Sequence, residues 1–323
     1  MRYFCVFLMF LSLYVPSFIV AAPVTLQLGH IAEADNPYAK GAVHFAELVK
    51  QRTNGVISIH IHAAGEMGSQ RDLIEGVAAG TIDMALTSSA LLANYVPAVA
   101  LFDLPFLFRD KQHAYKALDT VGMQLSAAGN ARGIITLAFW ENGMRQMTNN
   151  VRPIMRPEDM AGLKFRVMEQ PLCIEMMKVL GVKPVPMPIT ELYDALKQGV
   201  VDGQENPLAH IATKKYYKVQ KYISLTSHTY TPEPLLISAN TWNKLTQEQR
   251  DLLRAAAEET RDWQRQLCDE EEYEFLKIIR ASGTCEVNDN VDMDAFRQAT
   301  RKVWDTYTMI FGDKALKAVL ALQ

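Results

Sequence analysis

The chain has 323 residues, is 49% hydrophobic and 21% charged, and carries a formal net charge of −3. These proportions belong to a folded globular protein and not to a disordered one. The slight acidic excess rules out a broad basic surface and argues against a nucleic-acid partner.

Met1 to about Ala22 reads as a secretory signal peptide. Arg2 gives a positive n-region, Phe4 to Leu11 start the apolar h-region, and Val20-Ala21-Ala22 offer small residues for cleavage before Pro23. Pro16 and Ser17 interrupt a run already short for a membrane span, and no later segment approaches that length. No Cys follows the h-region to suggest a lipoprotein. The rest of the chain suffices for two domains of ordinary size. Cys173, Cys268 and Cys285 lie beyond the signal; they allow at most one disulfide, and their spacing fits no zinc motif.

Short apolar strands then alternate with amphipathic helices. Residues 24–29 predict a strand, 38–52 a helix with Ala42, Phe45, Ala46 and Val49 on one face, and 56–62 a second strand. Two segments, 69–83 and 190–202, follow one plan: a capping hydroxyl residue, an apolar helix stripe, a Gly at the helix end, a β-branched pair and an Asp entering a strand. They lie in different halves of the chain and predict two similar α/β lobes. Residues 133–139 predict another strand, with Arg145 just after it. Residues 162–167 predict a strand in which Leu163, Phe165 and Val167 alternate with Lys164 and Arg166. A long helix is predicted from Thr246 to about Ser282, opened by a Thr246/Gln249 capping box and spanning roughly 50 Å at 1.5 Å per residue. Such a helix could brace both lobes. Its acidic run, residues 269–272, reads as a solvated face.

Chemistry-bearing motifs are few. No G-x-S-x-G, H-E-x-x-H or phosphate-binding Gly loop is present. His60 and His62 share a strand face near Glu66, but no third metal ligand has a fixed place, so they read as exposed strand residues. The Ser and Thr of Thr87-Ser88-Ser89 have no His placed to activate a nucleophile. Arg166 and Arg145 are stronger candidates, because a guanidinium offers a rigid fork of donors matched to a carboxylate. The turn 202–207 presents amide side chains beside Pro207. Together these suggest a pocket that grips a small organic acid without transforming it.

The stretches Gly65-Glu66-Met67-Gly68, Leu104-Pro105-Phe106-Leu107-Phe108 and Asn142-Gly143-Met144-Arg145 come in a distinctive order. Gly162-Leu163-Lys164-Phe165-Arg166, Pro184-Val185-Pro186-Met187-Pro188 and Asp202-Gly203-Gln204-Glu205-Asn206-Pro207 follow, and these last three in this spacing are highly specific. Across the whole mature chain the sequence resembles the periplasmic solute-binding proteins of TRAP transporters, the DctP family. The resemblance implies a two-lobed α/β periplasmic binding fold of type II kind, with hinge strands and a long helix spanning both lobes. It implies residues 1–22 as signal peptide, 23–142 plus 233–272 as lobe I, and 143–232 plus 273–323 as lobe II. It also implies a monomer in the periplasm that closes over its ligand and docks on a membrane permease, with no cofactor and no metal. By the same resemblance Arg166 pairs with the substrate carboxylate, and Arg145 and Asn206 occupy the family's other anchor positions.

Residues 102–110 and 139–143 resemble the sugar-acid branch, which includes uronate and diketogulonate binders. A polyhydroxylated ligand needs many donors and acceptors, for which His30, Glu33, Asn36, Gln70, Ser88, Glu141 and Tyr230 are candidates. Ser88 stands where the sialic-acid branch carries an acid, which argues against sialic acid. Three alternatives stay open on the sequence: a C4-dicarboxylate or aromatic-acid binder, a sugar-acid enzyme using Glu205 or His30 as general base, and a ligand-sensing partner of a membrane receptor.

Overall fold

A computed structural model describes residues 23–322, so the expected signal peptide lies outside the described residues. Among the described residues the strands are β1 (Val24–Gly29), β2 (Ile57–His62), β3 (Met84–Leu86), β4 (Ile134–Asn149), β5 (Lys164–Val167), β6 (Lys183–Pro186), β7 (Gly203–Pro207), β8 (Tyr222–Ser224), β9 (Tyr230–Ser238) and β10 (Glu286–Asn288). They join in the order β2-β1-β3-β9-β4-β7-β5-β6, with β8 pairing β4 and β10. The triplets β2-β1-β3 and β6-β5-β7 are each parallel, while β3–β9, β9–β4 and β4–β7 are antiparallel. Two equivalent half-sheets, one per lobe, are therefore linked through the crossing strands β4 and β9.

The repeated plan is visible in both lobes. After the first helix, Gln70–Ala79, Gly80 takes the left-handed conformation at φ 81°, and Ser69 closes a capping box with Asp72. Asp83 then accepts a hydrogen bond from the Gln27 backbone N–H in β1, at 2.9 Å. In the second copy Asp202 accepts from the Lys164 N–H in β5, at 2.7 Å. In each lobe an Asp thus ties the entering strand to its parallel neighbour. The second copy departs at its start: a 3-10 turn, Ile189–Glu191, precedes the helix Leu192–Lys197, and Thr190 does not cap it.

Strand β4 corrects the expectation of a strand ending near Phe139. It runs 16 residues and contains Arg145. Its middle, Trp140-Glu141-Asn142-Gly143, lacks apolar alternation because it crosses between the lobes, where both faces are buried. Gly143, at φ 119°, absorbs the register shift opposite β9.

The long helix, Gln247–Ala281, has the predicted Thr246/Gln249 capping box. Leu253, Ala256 and Ala257 pack into the main core, whereas Phe275 and Ile279 join a separate cluster with Leu192, Ile211 and Tyr216. One rigid element is thereby anchored in both lobes. The acidic run is not simply solvated: Glu271 pairs with Lys40 at 2.6 Å, and Asp269 and Glu272 both pair with Lys111, at 2.7 and 2.9 Å. The helix Met293–Phe311 also ties down the first half of the chain, with Trp304 Nε1 donating to the Pro105 carbonyl at 2.8 Å.

Candidate functional site

The cleft between the lobes lies beside the crossing strands, at the C-terminal ends of β3, β5 and β7. That is where open α/β sheets place their ligands. The cleft is narrow, and only a small part of it has room for a water-sized molecule. Gln70, Ser88, Asn142, Arg145, Arg166 and Asn206 are among its walls.

Phe165 and Val167 point into the core, so strand alternation turns Arg166 to the opposite face, toward the cleft. Arg166 is nevertheless only 3% exposed. Its Nε donates to the Met187 carbonyl at 2.8 Å, while Nη1 is buried without a partner. Burial holds its pKa below the usual guanidinium value, as expected for a cation lacking a counter-charge.

Arg145 is in the opposite situation. Its Nε and Nη2 donate to the Glu205 carboxylate, with Nη2–Oε1 at 2.9 Å, and Nη2 also donates to Asn206 Oδ1 at 3.2 Å. Burial opposes the Arg145 charge, but Glu205 outweighs it and the pKa is raised. Burial likewise pushes Glu205 up, but Arg145 and His228 outweigh it and bring the carboxyl down to about 2. Glu205 is therefore an ionised structural anion, not a general base. Asn206 is locked from both ends, accepting from Arg145 and donating to Gln204 Oε1.

Gln70 and Ser88 also line the cleft. Gln70 Oε1 accepts from the Ser88 N–H at 3.1 Å, and Ser88 Oγ accepts from the Ala90 N–H at 3.2 Å. Four candidates are not brought to the cleft wall. His30 is buried behind it, with Nδ1 accepting from the Ala32 N–H at 3.3 Å; burial first, then the Lys214 charge, lower its pKa to about 4. Glu33 pairs with Lys214 at 3.0 Å on a neighbouring depression. Glu141 pairs with Lys111 at 3.1 Å, accepts from the Tyr115 hydroxyl and lines a different small cavity. The Tyr230 ring packs edge-on against Phe108, with centroids 5.6 Å apart. The sequence could not anticipate the pairings of Glu33, Glu141 and Tyr230, because each joins residues from distant segments.

Sequence reasoning missed Asn142, Glu233 and His210 as site residues. Asn142 lines the cleft, and its Nδ2 donates to Glu233 Oε2 at 3.0 Å. Burial pushes the Glu233 carboxyl up to about 8. The available signal was Thr231-Pro232-Glu233-Pro234, an acid between prolines inside an otherwise apolar strand. Among the described residues no group of three or more His, Cys, Asp or Glu could hold a metal ion. His62 is already engaged by Gln27 and Glu66, at 2.8 and 3.0 Å. Cys173, Cys268 and Cys285 are free.

The model of bacterial extracellular solute-binding protein family 7, DctP, matches residues 28–309. The 2,3-diketo-L-gulonate-binding periplasmic protein YiaO of Escherichia coli (strain K12) is 35% identical over 279 residues, which are 86% of this chain and 85% of that protein. A TRAP periplasmic solute-binding protein from Polaromonas sp. JS666, bound to D-erythronate, superposes with a TM-score of 0.90 at 37% identity, covering 93% of this chain and 99% of the other. One from Sulfurospirillum deleyianum DSM 6946, with bound succinate, gives a TM-score of 0.89 at 31% identity over 94% and 100% of the two chains. The chain therefore belongs to the DctP family: it is a periplasmic TRAP solute-binding protein of two-lobed α/β fold, and not an enzyme.

Proposed function

We propose that this protein captures a sugar acid, either a uronate such as glucuronate or galacturonate or a related aldonate or diketogulonate. Its carboxylate seats on Arg166, the lobes close, and the complex delivers the ligand as a monomer to the TRAP membrane permease. The observation that carries the reading is the buried Arg166 guanidinium, with Nη1 unpartnered in a polar cleft. Asn206, Gln70 and Ser88 stand beside it as polar contacts. Arg145 serves from behind, holding Asn206 in place while Glu205 neutralises its own charge. The lobe limits that the resemblance implies, at 142/143, 232/233 and 272/273, belong to this proposal.

The neutralised Arg145 also weighs against a dicarboxylate. A second buried carboxylate would need a free counter-charge, and the other guanidinium on the cleft wall, Arg71, faces Glu169 at 3.4 Å. The test is a thermal-shift and calorimetric screen against D-galacturonate, D-glucuronate, D-erythronate, succinate and malate. Ligand at a hundred times its dissociation constant adds about 2.7 kcal/mol of stability. A shift with a sugar acid and none with succinate or malate is expected; a shift with succinate alone would overturn the reading. Arg166→Ala should lose on the order of 3 kcal/mol of binding. Arg166→Lys should also bind poorly, since one ammonium cannot replace a fork.

A further inference from the structure

Inward from Arg166, unpartnered polar atoms gather in one place. Asn142 Oδ1 and His210 Nδ1, on residues that line the cleft, are buried without partners. So are Glu233 Oε1 and the Tyr38 hydroxyl just behind them. Asn142 holds the other Glu233 oxygen at 3.0 Å, and the Tyr38 ring stands 5.6 Å from that of His210. Glu233 is among the groups that push the Tyr38 phenol up, after burial itself. Buried polar groups in native proteins are nearly always satisfied, so a cluster of exceptions calls for an explanation.

We infer that Glu233 and Tyr38 form a hydroxyl-binding subsite continuous with the cleft, and that this subsite selects a polyhydroxylated monocarboxylate over a dicarboxylate. The inference rests on the sugar-acid reading above. A ligand hydroxyl both donates and accepts, so it can serve a phenol and a carboxyl group at once. A second ligand carboxylate in the same place would bury a negative charge with no free cation to meet it, because the nearby Arg145 is already held by Glu205.

Two variants test this, each assayed by calorimetry with D-galacturonate, D-erythronate and succinate. Glu233→Gln should weaken binding of the sugar acids about tenfold while leaving succinate binding, however weak, unchanged or improved. Tyr38→Phe deletes only a partnerless oxygen. It should raise the ligand-free melting midpoint yet weaken sugar-acid binding several-fold, a pair of opposite signs that a merely structural role would not produce. If the wild type binds a sugar acid and both variants bind it equally well, the subsite is wrong and the sugar-acid reading stands. Equal losses for sugar acids and succinate also overturn the subsite. A wild type that binds none of the sugar acids overturns the reading and the subsite together. If Glu233→Gln fails to fold, Tyr38→Phe decides alone.

Discussion

Glu233 and Arg166 are both buried ionisable groups whose charge the fold does not compensate. Burial raises Glu233 from 4.5 to about 8, so the folded state holds its proton more firmly than the unfolded chain does. Its contribution to stability is intact below the unfolded value and is lost as pH rises through the folded one. Ligand-free protein should therefore lose up to about 1.4 kcal/mol per pH unit from this group between about pH 5 and pH 8. Glu233→Gln should remove that slope. Asp103, raised to about 7 by burial, and His30, lowered to about 4, act equally in both proteins and cancel in the comparison. Denaturant unfolding at pH 5, 6, 7 and 8 measures the difference, and parallel profiles would show that Glu233 is ionised in the fold. At this scale Arg166 was legible because strand alternation alone sets its face. The pairing of Arg145 with Glu205 was not, since it forms only when β4 meets β7.

Among the elements, β4 and β7 set the site geometry, and their pairing is unusually tight at one point. A Cβ on Gly203 would stand 2.2 Å from the Thr148 carbonyl oxygen and 2.7 Å from the Phe165 ring. Backbone cannot yield there, so Gly203→Ala should destabilise by on the order of 3 kcal/mol and spread β7 from β4, displacing Asn206. A loss of ligand affinity together with a lower melting midpoint is the expected result; an unchanged midpoint would mean that the strands can separate without harm. The long helix is the contrasting case, because its start is fixed locally. Thr246→Ala removes the side-chain bond to the Gln249 N–H and should cost about 1 kcal/mol, read as a drop in the denaturation midpoint. That helix was legible end to end from its cap and apolar stripe. The reach of β4 was not, because its polar crossing residues satisfy no strand pattern.

Across the whole molecule, contacts span the cleft on two sides. Arg71 faces Glu169 at 3.4 Å, Asn94 Nδ2 donates to the Glu169 carbonyl at 2.9 Å, and Lys214 pairs with Glu33 at 3.0 Å. Each joins the first lobe to the second, so together they favour the closed arrangement. Partly exposed pairs contribute about 0.2–1 kcal/mol each, enough to bias closure without locking it. Glu169→Ala should therefore shift the ligand-free population toward the open form and weaken apparent affinity about two- to fivefold, since affinity scales with the competent fraction. Small-angle scattering should show a larger radius of gyration without ligand and the wild-type value with saturating D-galacturonate. Identical scattering without ligand would mean that this pair does not govern closure.

What the sequence determined by itself is local or repetitive in origin. Strand alternation placed Arg166, the capping box and stripe placed the long helix, and the repeated helix–Gly–strand–Asp plan gave two similar lobes. These depend on neighbours a few residues apart, so periodicity and capping chemistry reveal them. The tertiary structure decided how the charges were shared out. Glu205 neutralises Arg145 and leaves Arg166 without a counter-charge, Lys111 and Tyr115 take Glu141 away from the cleft, and Asn142 brings Glu233 close to it. Each of those outcomes depends on which distant side chain reaches a buried charge first, and that is settled only when the crossing strands bring the two half-sheets together.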